Sequence, residues 1–323
     1  MMDMAKDTEM SCGAPERIPV VLSGDGRGNS LLDADLRERI EQVLEGEGAV
    51  LLSGYERLGV DGFRAFAQRF GHPLVDYEFG STPRTEVSAG IYTSTEYPAH
   101  QSIPLHNEQS YALTWPMKIW FYCDVAPSHG GETPIADSRA VYRRLKPELR
   151  RRFEDKRLMY VRNFGGGLDV SWQMAFGTDS RAAVEAYCRN NAIVCEWKSD
   201  GELRTRQVCQ ASARHPRTGQ RVWFNQAHLF HITALAPDTR EALLDCVDQE
   251  DLPRNVYYGD GSAIEDPVLD DVRAAWEAEK RKFRWSPGDV LMLDNMLCAH
   301  GREPFSGPRR IVVAMAEPYS QGR

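Results

Sequence analysis

His106 and Glu108 stand two residues apart in Leu105-His106-Asn107-Glu108-Gln109, and His300 closes the distant segment Asp294-Asn295-Met296-Leu297-Cys298-Ala299-His300. Two imidazole nitrogens and one carboxylate oxygen are the donor set of a two-histidine, one-carboxylate Fe(II) site, which leaves the opposite coordination positions open for chemistry. A His-x-acid pair alone says little. With 8 His and 47 Asp plus Glu in 323 residues, roughly one such pair arises by chance.

Its company is more specific. Thr133 lies 27 residues after His106, behind the turn Gly130-Gly131-Glu132, and Arg310 lies 10 residues after His300, directly behind Arg309. A 2-oxo acid that chelates iron through its carboxylate and keto oxygens keeps a distal carboxylate, which calls for a charge-assisted, forked partner and a hydroxyl donor. Arg310 and Thr133 can supply them.

These residues need a frame. Leu36, Ile40 and Val43 recur at helical spacing and predict a helix over 32–45, ended by Gly46 and Gly48. Ala49 to Leu52 reads as a buried strand, and 60–70 as a helix with Phe63, Phe66 and Phe70 packed on one face. From Tyr77 to Ile103 the chain is loop-like, with a strand at 87–93, and Pro104 leads into His106. Met117 to Val125 predicts a central strand. Asp137 or Ser138 can cap a helix at 141–145, and 147–160 also reads as helix.

Further helices are expected at 182–190, 239–248 and 267–283, strands at 193–197, 205–209, 211–214 and 220–225, and a loop at 255–262. The chain closes strand, turn, strand: 289–294, 298–302, 310–315. The fold class expected is mainly β with helical insertions. Residues 1–17 are read as a flexible tail and 18–323 as one domain, since no Pro/Ser-rich linker divides them.

Composition excludes several partners. A net charge of −8 gives no general attraction to nucleic acid or to an anionic membrane. No apolar run approaches the roughly 18 to 20 residues of a membrane span, and the acidic N-terminus lacks the apolar stretch of a secretory signal. The 7 cysteines are odd in number and form no CxxC pair, which fits free thiols in a reducing compartment. A cytoplasmic location is expected.

Taken together, His106, Glu108, the Gly130-Gly131-Glu132-Thr133 turn, His300 and Gly307-Pro308-Arg309-Arg310-Ile311 resemble the TauD/TfdA family of Fe(II)/2-oxoglutarate-dependent dioxygenases. The resemblance implies a double-stranded β-helix (jelly-roll) core, Fe(II) on His106, Glu108 and His300, 2-oxoglutarate held by Thr133 and Arg310, and O2 as oxidant. The stretches Thr93-Ser94-Thr95-Glu96-Tyr97-Pro98, Thr133 to Arg139 and Trp223 to His231 are similar to the branch associated with nonribosomal peptide synthesis. Such relatives hydroxylate an amino acid, often at the β-carbon, free or tethered to a peptidyl carrier protein. Two departures stand out. Glu108 replaces the commoner aspartate, and Ala314 stands where many relatives carry a second arginine. Halogenating relatives replace the acid with a small residue, so Glu108 speaks for hydroxylation.

On the substrate side, Asn225 and His228 could meet an amino-acid head group, Arg84, Arg162 and Arg302 a carboxylate, and Trp172 could wall the pocket. His228 and His231 have no acid beside them to complete a second metal site, which favours structural or pocket roles. The glycine loop Phe164 to Leu168 could serve as a lid or be an ordinary surface loop. Other readings within the same chemistry are a small-acid (sulfonate or carboxylate) dioxygenase, a desaturase and a cyclase. From another class comes a non-catalytic protein that binds a metabolite or partner.

Overall fold

A computed structural model describes residues 18–24, 30–75, 85–94, 97–165, 168 and 170–320. The expected tail over 1–17, Arg84 and part of the glycine loop lie outside the described residues.

Two sheets face each other. The larger has seven strands in the order Val20–Ser23, Ala49–Ser53, Val290–Asp294, Thr114–Val125, Arg310–Ser320, Ile91–Thr93, Glu86–Ser88. The smaller has four: Arg281–Phe283, Thr133–Asp137, Cys298–Arg302, Ile103–His106. Strand alternation sends Ile119, Phe121, Leu291, Leu293, Ile311, Val313 and Met315 of the larger sheet against Ile135 and Cys298 of the smaller, so these residues form the core between them. The opposite parity, Trp120, Tyr122, Met292, Val312 and Ala314, packs outward on Leu36, Ile40, Phe63 and Phe66 of the helices Ala34–Glu47 and Gly59–Gln68.

The outer face of the smaller sheet is covered as well. Leu105, Ala136 and Ala299 pack with Val141, Leu269, Val272 and Trp276 from the helices Ser138–Arg144 and Asp266–Glu279. A third sheet, ordered Val194–Trp197, Leu203–Cys209, Leu158–Phe164, Arg254–Tyr258, extends the same cluster through Leu158, Tyr160, Cys209 and Val256. Among the described residues the cysteines are unbridged, and no helix is long and apolar enough to cross a membrane.

Local chemistry sets the boundaries. Asp33 caps Ala34–Glu47 by accepting from Asp35 N, and Gly48 ends that helix at φ 85. An added Cβ on Gly48 would stand 2.7 Å from Leu297 Cβ, so packing as well as conformation demands glycine there. Asp137 caps Ser138–Arg144 through Arg139 N and Ala140 N.

Four expectations need correction. The helix expected over 267–283 ends at Glu279, and Arg281–Phe283 pairs as a strand with Thr133–Asp137. The helix expected over 147–160 ends at Lys156, because Arg157 turns to φ 60 and the apolar, aromatic run behind it pairs as the strand Leu158–Phe164. Residues 255–262, expected as a loop, begin with the strand Arg254–Tyr258, which pairs with Leu158–Phe164. The chain before His106 is also strand, Ile103–His106, despite Pro104. Proline is tolerated there because this is an edge strand.

Candidate metal centre

His106 ends the strand Ile103–His106, and His300 lies mid-strand in Cys298–Arg302; the two are direct antiparallel partners. Their rings are 4.6 Å apart between centroids. Glu108 follows two residues beyond the strand end and brings Oε2 to 4.0 Å from His300 Nε2. One ligand atom from each of the three residues lies within 4.8 Å of the other two. Sheet pairing therefore converts a contact of very high sequence separation into a convergent donor set, and the set fits a divalent metal of the iron type.

The outer hydrogen bonds orient these ligands. His106 Nδ1 stands 2.8 Å from the Pro104 carbonyl. A carbonyl only accepts, so Nδ1 carries the proton and the metal-binding lone pair resides on Nε2. Glu108 N donates to Asn295 Oδ1 at 2.7 Å, and Asn295 Nδ2 donates back to Glu108 O at 2.9 Å. Phe121 places its ring centroid 5.0 Å from that of His300, an apolar wall against the imidazole.

Beside the triad is a pocket lined by Ser94, Ile103, His106, Phe121, Thr133, His300, Gly301, Arg302 and Arg309. Thr133 is where the sequence put it, buried, its hydroxyl accepting from Trp285 Nε1 at 3.0 Å. Arg310 is not. It is exposed and pairs with Asp124 at 3.0 Å on the protein surface. Arg309 takes the pocket position instead, with Nη1 3.3 Å from Ser94 Oγ and its guanidinium over the Phe305 ring at 5.3 Å. Burial, and then the nearby Arg302 charge, push the Arg309 pKa down to about 10. Among the described residues Arg309 has no carboxylate partner, so the pocket holds a partly desolvated cation that an anionic group would stabilise.

Strand parity agrees with this placement. Ile311, Val313 and Met315 point into the core between the sheets, and Arg309 shares their parity; Arg310 shares that of Val312 and Ala314, which point outward.

The residues expected to meet substrate scatter. Asn225 is buried in a turn, donating to Ala211 O at 2.7 Å and accepting from Ala227 N at 3.0 Å, and it borders neither described cavity. Trp172 packs edge-on against Trp197 in a separate cluster with Phe164, Val184 and Leu203. Arg162 is buried over the Phe164 ring at 4.6 Å, outside the pocket lining. Arg302 borders the pocket but is committed to the Tyr97, Pro98 and Gln101 carbonyls at 2.7–2.9 Å, so it braces the 97–101 loop.

His228 braces from behind, with Nε2 3.0 Å from Leu105 O. Burial pushes its pKa down to about 3, which keeps the ring neutral. With Arg302 it borders a larger cavity of about 260 Å³ between Ile103–His106 and the helix Asp266–Glu279, away from the triad's own pocket. His231 bonds Thr233 Oγ1 at 2.8 Å, a local turn.

The family model for "Taurine catabolism dioxygenase TauD, TfdA family" matches residues 16–315. The chain is 43% identical to the dapdiamide synthesis protein DdaC of Enterobacter agglomerans, over 86% of this chain and 85% of that protein. It is 32% identical to a clavaminate synthase-like protein of Arabidopsis thaliana, covering 86% and 84% respectively. Among solved structures it is similar in fold to PvcB of Pseudomonas aeruginosa, described as an Fe, alpha-ketoglutarate dependent oxygenase from an isonitrile synthetic pathway. There the TM-score is 0.53 at 16% identity, with 92% of this chain and 84% of that one covered.

Proposed function

The chain belongs to the TauD/TfdA family and is an Fe(II)- and 2-oxoglutarate-dependent dioxygenase, and from that premise we propose that it hydroxylates an unactivated carbon of an amino acid in natural-product biosynthesis. The β-carbon is the position favoured, on a substrate that is free or tethered to a carrier protein. The observation that carries the reading is the His106, Glu108, His300 triad beside a pocket lined by Arg309, which among the described residues has no carboxylate partner. The roles of the relatives in dapdiamide synthesis and an isonitrile pathway support the biosynthetic setting. The two facing sheets, with the triad on the smaller one, support reading the core as a double-stranded β-helix.

In this reading His106 Nε2, Glu108 and His300 hold the iron. Arg309 and Thr133, helped by Ser94, receive the distal carboxylate of 2-oxoglutarate, the role that sequence spacing gave to Arg310. With metal, cosubstrate and O2 bound, the centre supplies oxidative decarboxylation of 2-oxoglutarate to succinate and CO2, coupled to insertion of one oxygen atom into a substrate C–H bond. Phe121 limits water at the His300 side, and Arg302 fixes the loop at the pocket rim. Glu108 fills the position that a halide would need, which favours hydroxylation over halogenation.

Mass spectrometry of an amino-acid panel, free and carrier-bound, incubated with Fe(II), 2-oxoglutarate and O2 tests this. A product 16 mass units heavier, formed with stoichiometric succinate, is the expected result. Loss of two hydrogens without added oxygen would move the assignment to desaturation or cyclisation. Turnover only of small sulfonates or carboxylates would move it to a catabolic dioxygenase.

A further inference from the structure

Glu108 is not held by its own strand. It lies beyond the end of Ile103–His106, and the next residue, Gln109, has φ 54. A non-glycine residue in the left-handed region persists only where its surroundings enforce it.

Two buried carboxamides enforce it. Asn295 is fully buried. Besides its reciprocal pair with the Glu108 backbone, its Nδ2 donates to Pro116 O at 2.8 Å and its backbone N to Met117 O at 2.8 Å. Asn107, equally buried, donates from Nδ2 to Asn295 O at 2.6 Å and to Ser138 Oγ at 3.0 Å. Asn107 O in turn accepts from Gln226 Nε2 at 2.8 Å. Asn295 is itself fixed, because Asp294 Oδ1 accepts from Met296 N at 3.0 Å and Leu297 N at 3.1 Å in the turn that opens the His300 strand.

We propose that Asn295 is the positioning residue of the metal centre, a carboxamide buckle that joins the turn carrying Glu108 to the turn preceding His300. The inference rests on the proposed iron site. A residue whose own N–H and C=O are both held by one side-chain amide has the two peptide planes flanking its Cα fixed, and little freedom in φ and ψ. The Glu108 Cα–Cβ bond is thereby aimed at the metal position before metal arrives, and less of the binding free energy goes into ordering the ligand. Asn107, between the two ligands in sequence, completes the link from the other side.

The test uses Mn(II) binding to the full chain under nitrogen, followed by calorimetry, with no turnover involved. Asn295→Asp keeps size and the acceptor for Glu108 N but sets a carboxylate against the Glu108 and Pro116 carbonyls. It should weaken Mn(II) roughly 10–100-fold. A core variant matched to it in thermal stability, such as Phe153→Leu on the far side of the smaller sheet, should bind within about twofold of wild type. Equal affinity in Asn295→Asp and wild type would overturn the proposal, whereas no binding by wild type would instead defeat the metal-site reading. Should the variant not fold, hydrogen exchange on the wild-type protein decides. The Glu108 amide should be strongly protected without metal and unchanged with it. Protection that appears only on adding Mn(II) would show that the buckle is not preformed.

Discussion

Arg309 and Arg310 are neighbours in sequence at the start of the strand Arg310–Ser320, yet Arg309 lines the pocket while Arg310 pairs with Asp124 on the surface. Removing Arg309 should leave the distal carboxylate of 2-oxoglutarate without its charged partner, and Arg309→Ala is expected to raise the 2-oxoglutarate KM on the order of 100-fold. Arg310→Ala, which breaks an exposed pair with Asp124, should change it less than about twofold. Succinate formation across a cosubstrate titration reads both, and the reverse ranking would restore Arg310. Thr133→Val deletes one hydroxyl from the pocket and one acceptor from Trp285, so a KM increase of about 5–10-fold is expected with a stability loss near 1 kcal/mol.

The convergence of His106, Glu108 and His300 was legible in the sequence because their residue types are chemically restricted and their spacing is shared with a known family. Which arginine faces the pocket was not legible, because two arginines are adjacent in sequence and only the course of the backbone separates Arg309, which lines the pocket, from Arg310, which pairs with Asp124. Asn225, Trp172 and Arg162 line neither described cavity, because aromatic and polar residues near a motif look alike in sequence whether they line a pocket or build the wall behind it.

At the scale of elements, the site depends on how closely the strand Cys298–Arg302 approaches Ile103–His106. Gly301, between His300 and Arg302, makes that approach possible. A Cβ there would lie 2.5 Å from Ile103 O and 3.1 Å from Pro134 Cγ. Gly301→Ala should therefore cost about 1–3 kcal/mol by overpacking and separate His300 from His106. The check is thermal unfolding with and without Mn(II): a lowered Tm and a reduced metal-induced rise are expected, and an unchanged rise would show that the strands tolerate the spacing.

Most helices were visible from apolar periodicity and caps, as with Asp33 and Gly48 around Ala34–Glu47. Strands of the third sheet were harder to see. Leu158–Phe164 follows a helix with no glycine or proline between them, and its identity is set by pairing with Leu203–Cys209 and Arg254–Tyr258, contacts that lie far away in sequence. Sheet order was not legible at all, since each strand's neighbours come from distant parts of the chain.

At the scale of the whole molecule, His228 links the metal strand to the helical cover through Leu105 O on one side and the Trp276 ring, 5.8 Å away, on the other. Its pKa, about 3 in the folded protein against an ordinary 6.5, has a defined consequence for stability. Above pH 6.5 both folded and unfolded chains hold a neutral ring and the group contributes no pH dependence. As pH falls from 6.5 toward 3, the unfolded chain takes up a proton that the folded chain refuses, so stability declines on acidification by on the order of 3 kcal/mol near pH 4. Denaturant unfolding followed from pH 7 to 4 should show that slope in wild type and a shallower one in His228→Gln; equal slopes would place the acid sensitivity elsewhere.

If His106, Glu108 and His300 hold Fe(II), 2-oxoglutarate chelates it at the positions they leave open. Anaerobic titration of the protein with Fe(II) and then 2-oxoglutarate, followed by visible absorption, tests that claim most directly. A weak metal-to-ligand charge-transfer band should appear in wild type only when both are present, and it should be lost in His300→Ala. A wild-type protein with no band, or a His300→Ala variant that keeps it in full, would contradict the assignment.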